Sequence, residues 1–146
     1  MSTINVDVIT SQTPASPVTI NDNLIVTGTN NIKPYKVYVA GYLQQSSPTA
    51  DPLCEVFENT LGATITWTRQ STGVYLATAS APVFTAFKTV VFTTVGGGAG
   101  AVLPIQILAN RQSDTQVYLI TVLTDATSTP VDGRLASSPI EIRVYP

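Results

Sequence analysis

Histidine is absent from this chain and cysteine occurs once, as Cys54. Without histidine there is no Ser-His-Asp triad, no Cys-His dyad and no imidazole to hold a metal. A single thiol cannot build a zinc cluster or a disulfide framework. Flanked by Leu53 and Glu55, Cys54 reads as a small buried hydrophobe. Carboxylates are the remaining candidates for acid–base work. Glu55 and Glu58 stand three apart, a spacing that puts them on opposite faces of a strand. A glycosidase needs two carboxylates about 5–10 Å apart across a cleft. Nothing in the sequence brings such a pair together, and only distant pairs such as Asp51 and Asp114 are left open. Asp125–Thr129 with Asp132 is too sparse in oxygens for a calcium loop. Gly96-Gly97-Gly98-Ala99-Gly100 has the glycines of a phosphate cradle but neither the Lys-Ser/Thr ending nor the following helix. It reads as a flexible hairpin tip. Gly97 and Gly98 would let a neighbouring subunit's backbone approach closely there, which makes them interface candidates. The expectation is a non-enzymatic chain with no catalytic residue, metal or cofactor.

Aromatic side chains carry more information. Tyr is favoured at interfaces because it buries a large ring and still satisfies a hydroxyl. In Tyr35–Leu43, Tyr38 and Tyr42 share one strand face while Val37 and Val39 take the other. Tyr38 and Tyr42 are therefore either a second core face or a contact patch. In Ala63–Arg69, Ile65 and Trp67 fall on one face and Thr64, Thr66 and Thr68 on the other. That places Trp67 in the core and not on a sugar-stacking surface.

The elements that must position these residues are strands. Asn23–Thr29, Tyr35–Leu43, Cys54–Glu58, Ala63–Arg69, Val74–Ala79, Lys88–Val95, Ala101–Ala109 and Val117–Leu123 follow one another, and Ile140, Ile142 and Val144 mark a last one. Gln70-Ser71-Thr72-Gly73 reads as a hairpin turn and Val131-Asp132-Gly133-Arg134 as a second turn. Val117–Leu123 is almost continuously apolar, as a strand covered on both faces should be. Ala79–Phe87 has room for one helical turn, with Pro82 opposing more. Residues 1–20 read as an extended arm whose Thr10–Pro17 stretch is polar and proline-broken. Within it Ile4, Val6 and Val8 alternate with polar residues and could pair with a neighbour's sheet edge. With about nine strands at short intervals, the pattern is all-β: a single antiparallel β-sandwich over residues 21–146, jelly-roll or immunoglobulin-like. The sequence leaves strand order open.

The 146 residues suffice for one domain and its core. Charged residues make up 11%, less than half the usual share of about 25%. Such a surface is easily covered by neighbours. The net charge is −2 and the cations are scattered, so a nucleic-acid partner is not expected. No apolar run approaches the roughly 18 residues of a membrane span. Met1–Asp7 lacks the basic and apolar regions of a secretory leader.

Five stretches share a further likeness. Tyr35-Lys36-Val37-Tyr38-Val39-Ala40, Glu58-Asn59-Thr60-Leu61-Gly62, Ile65-Thr66-Trp67-Thr68-Arg69, Gly73-Val74-Tyr75 and Pro139–Pro146 together resemble small β-rich virion proteins of tailed bacteriophages, crAss-like phages among them. The resemblance spans residues 35–146 and implies a virion structural protein, of the capsid-decoration or head-fibre type. Such a chain would be assembled in the host cytoplasm and would contact capsid or tail subunits. Homo-oligomerisation is expected of it, a trimer being the state that capsid symmetry suggests. A tail-associated module binding host cell-surface glycan is the alternative.

Overall fold

The computed structural model describes residues 33–96, 105–124 and 128–146. Among these the chain is all-β and contains no helix. Eight strands follow in order: β1 (Lys36–Gln44), β2 (Leu53–Asn59), β3 (Ile65–Ser71), β4 (Val74–Ala79), β5 (Thr89–Thr93), β6 (Ile105–Arg111), β7 (Gln116–Leu123) and β8 (Ser138–Val144). They form two four-stranded sheets, β2-β1-β8-β5 and β3-β4-β7-β6. Every neighbouring pair is antiparallel. About nine strands were expected from the pattern. Asn23–Thr29, Ile4, Val6, Val8 and the rest of the arm lie outside the described residues, as do Gly97 and Gly98.

Period-two patterning decides which side of each strand is buried. In β8, Ile140, Ile142 and Val144 point inward, while Glu141 and Arg143 point out. In β3, Trp67 is buried and Ile65 packs beside it, while Thr66 is exposed. No residue of β7 is exposed, which fits its place between β4 and β6. Tyr38, Ala40 and Leu43 from β1 meet Trp67, Tyr75, Ala77 and Leu119 from the second sheet in one core. Each large side chain fully buried there stabilises the fold by about 1.5–3 kcal/mol.

Connections complete the core. The β3–β4 hairpin turns on Thr72-Gly73, with Gly73 at φ 66°. A side chain at Gly73 would also strike backbone atoms of Val131 and Thr121. Ala79–Phe87, which had room for one helical turn, forms none. Val83 and Phe84 instead donate their N–H groups to the Asp114 carbonyl, and Phe84 drops fully into the core. Near the β3–β4 turn, Asp132 receives Arg69 Nε at 3.0 Å, Arg69 Nη2 at 2.7 Å and the Gly73 N–H at 2.8 Å. Gln45 accepts from the Tyr75 hydroxyl at 2.7 Å and from the Gly133 N–H at 3.0 Å. The Asp-Gly turn thus locks three loops together, which gives Asp132 a structural task; Asp125 of the oxygen-bearing stretch before it lies outside the described residues.

Candidate functional site: the outer face of the first sheet

Two β-bulges, side by side, shape the outer face of the β2-β1-β8-β5 sheet. In β1, Ala40 lies opposite Ile140 but Leu43 lies opposite Ser138, so one residue of β1 is extra. Tyr42 absorbs it, with a left-handed φ of 55°. The bulge reverses the phase of the strand. Tyr38 sits inside, 1% exposed, while Tyr42 stands out at 57%. The two tyrosines therefore do not share a face, and Tyr38 is a core residue that offers no contact surface. The glycine at position 41 was the available signal, because glycine inside a strand often marks a bulge.

In β2, Glu58 lies opposite Val39 and Val56 opposite Ala40, leaving Phe57 extra. A second consequence follows from this register. Glu55 lies opposite Gly41, two residues along β1 from Val39, so Glu55 and Glu58 are on the same face. Their expected separation to opposite faces fails because the bulge adds one residue between them. Phe57, 59% exposed, lays its ring where a side chain at Gly41 would be. Its ring meets that of Tyr42 edge-on, with centroids 6.3 Å apart and planes at 83°. Beside this pair is a shallow hollow of about 330 Å³ lined by Tyr42, Gln44, Leu53, Cys54 and Glu55.

The charged groups of this face divide unevenly. Lys33 Nζ pairs with Glu58 at 2.6 Å. Arg143 pairs with Glu141, and its guanidinium lies 4.8 Å from the centre of the Tyr35 ring and 4.7 Å from that of Phe92. Tyr145 in turn packs on Tyr35, with centroids 5.3 Å apart. Elsewhere, Asp51 accepts the Arg69 N–H, Asp132 holds the Arg69 side chain, and Asp114 pairs with Arg111. Glu55 alone among the described acidic residues has neither an ion pair nor a hydrogen bond. Sequence reasoning missed Phe92 and Glu55 as surface features and left open whether Val56 or Phe57 faced outward, since only register shows what they stand beside.

Apolar exposure concentrates on this same sheet. Leu53 and Val56 join Phe57 on edge strand β2, and Val90 and Phe92 are exposed on the opposite edge strand, β5. Under the sheet, the Trp67 Nε1–H donates to the Tyr38 hydroxyl at 3.2 Å, and that hydroxyl lies 3.5 Å from the Cys54 sulfur. Burial, reinforced by Cys54, holds the Tyr38 hydroxyl well above the ordinary tyrosine range. A larger hollow of about 620 Å³ lies at one end of the sandwich among Pro34, Tyr35, Pro82, Val83, Tyr145 and Pro146. Among the described residues no three of His, Cys, Asp and Glu gather as a metal would require. None of the described residues forms a helix long and apolar enough to cross a membrane.

Compared with known protein families, curated proteins and solved structures, the chain matches none of them.

Proposed function

We propose that this chain is a non-enzymatic structural component of a bacteriophage particle, a capsid decoration or head-fibre element. It docks on other virion subunits through the outer face of the β2-β1-β8-β5 sheet. One observation carries the docking role: exposed Tyr42, Leu53, Phe57, Val90 and Phe92 all stand on that face. Exposed apolar side chains concentrated on one sheet mark an interaction surface. The virion assignment draws on the resemblance over residues 35–146. A ninth strand and an extended arm over residues 1–20, completing a jelly-roll or immunoglobulin-like sandwich, belong to the same proposal, as does a homo-oligomeric and specifically trimeric state.

Particle incorporation tests it. Purified particles are probed for the full chain, for a chain lacking residues 1–20, and for a chain carrying Phe57→Ser and Phe92→Ser. The full chain should co-purify with particles and both variants should be depleted at unchanged folding. A full chain absent from particles overturns the virion role. Undiminished incorporation of a variant removes the arm or the sheet face, respectively.

The exposed Tyr42–Phe57 pair favours a second reading, a virion-displayed module that binds host cell-surface glycan. Tyr38 and Trp67 are buried and cannot serve it. Tyr42→Ala and Phe57→Ala would abolish cell adhesion without loss of folding under this reading, and leave it intact under the first.

A further inference from the structure

We infer that Tyr42, Phe57 and Glu55 form a seat for an arginine side chain presented by a docking partner. It rests on the docking role proposed above and names the chemistry of one contact within it. The outer face of the sheet already contains a filled seat of this kind. Arg143 is packed on the rings of Tyr35 and Phe92, with the Glu141 carboxylate closing the arrangement. The β1 and β2 bulges assemble the same complement of groups a second time, two aromatic rings and one carboxylate, without a cation. Glu55 shares the hollow with Tyr42 and is the one described carboxylate left unpaired. The Tyr42 hydroxyl and the Gln44 amide have no partner either, and both border that hollow. A planar guanidinium stacks on a ring and offers paired N–H groups to a carboxylate, which an ammonium or a neutral sugar does less well.

Backbone geometry points the same way. A bulky residue at φ 55° is strained, and glycine would occupy that position without cost. Strained residues of this sort persist where their side chain has a use. Phe57 props the Tyr42 ring at a right angle, and it can lie there only because position 41 is glycine.

The test is a titration of the full-length chain, followed residue by residue by NMR at constant ionic strength. The probes are N-acetyl-arginine amide, N-acetyl-lysine amide, N-acetyl-leucine amide and a methyl glucoside. Arginine amide should give saturable shifts at Tyr42, Glu55 and Phe57, at least threefold tighter than lysine amide, with none from leucine amide or the glucoside. Glu55→Gln should weaken the binding at least threefold, and Tyr42→Gly should abolish it while raising the melting temperature. No saturable arginine shifts, shifts indifferent to Glu55→Gln, or saturation by the glucoside instead would each overturn the seat. A chain that binds arginine amide here yet never enters particles would sink the virion role and leave the seat standing.

Discussion

Tyr38→Phe is the sharpest probe of the core. It removes one oxygen and leaves the ring in place. That oxygen accepts the Trp67 Nε1–H at 3.2 Å, and Trp67 is only 6% exposed. The indole N–H would be left buried without an acceptor, because the Cys54 sulfur is a weak one and bonds the hydroxyl, not the indole. Orphaning a buried donor costs about 1–3 kcal/mol. For a chain of this size that lowers the melting temperature by roughly 2–4 °C per kcal/mol. Trp67 is the only tryptophan, so its fluorescence during urea unfolding reports the change from inside the affected contact. The midpoint should fall at constant m-value. A pH series adds an independent readout. Burial holds the Tyr38 hydroxyl protonated in the folded state beyond the ordinary tyrosine range, and burial raises Tyr75 likewise. Below a pH of about 10 both folded and unfolded chains keep these protons; above it the unfolded chain alone loses them, and stability falls by up to about 1.4 kcal/mol per pH unit for each such tyrosine. The Y38F variant should show an alkaline decline shallower by one proton. A stability loss under about 0.5 kcal/mol together with an unchanged alkaline slope would refute both the hydrogen bond and the burial of that hydroxyl.

Other perturbations reach the remaining features. Gly73→Ala forces a side chain into a left-handed turn and against the Val131 and Thr121 backbones, and should destabilise by more than about 1 kcal/mol in urea unfolding. Asp132→Ala removes the acceptor for Arg69 and the Gly73 N–H, and should cost about 1.5–3 kcal/mol. The Asp132 carboxyl is held below its ordinary pKa, first by the hydrogen bond from Arg69. Its stabilisation is therefore present above the ordinary carboxylate range and lost as pH falls through the lowered value. The D132A variant should accordingly show a flatter acid limb than the parent. Ile142→Ala opens a cavity in the middle of the core and should cost about 2–5 kcal/mol by urea unfolding. Gly41→Ala should displace the Phe57 ring, visible as loss of the Tyr42–Phe57 ring-current shifts in NMR, at a stability cost below about 1.5 kcal/mol because Phe57 is free to swing into solvent.

What was legible beforehand rested on local rules. Alternation along Ile140-Glu141-Ile142-Arg143-Val144 fixes which side of β8 is buried, whatever strand lies next to it. The same rule put Trp67 inside, and turn chemistry placed the β3–β4 hairpin within Gln70-Ser71-Thr72-Gly73, of which the strands leave Thr72-Gly73 as the turn. Those rules require an unbroken period of two. At Tyr42 and Phe57 one extra residue enters each strand, and everything beyond it changes sides relative to the count. Tyr38 went in, Tyr42 came out, and Glu55 joined Glu58 on one face for that reason. A bulge is decided by how two strands align, and the partner strand is supplied by the fold. Phe84 shows the same division: its connection had the composition for a helical turn, but the Asp114 carbonyl, brought near by the β6–β7 hairpin, took the backbone N–H groups instead. Composition and periodicity determined that this chain builds sheets and leaves few groups for reaction. Tertiary pairing alone decided which aromatic rings and which carboxylate face outward, because a side chain's direction past a bulge depends on a neighbour far away in the sequence.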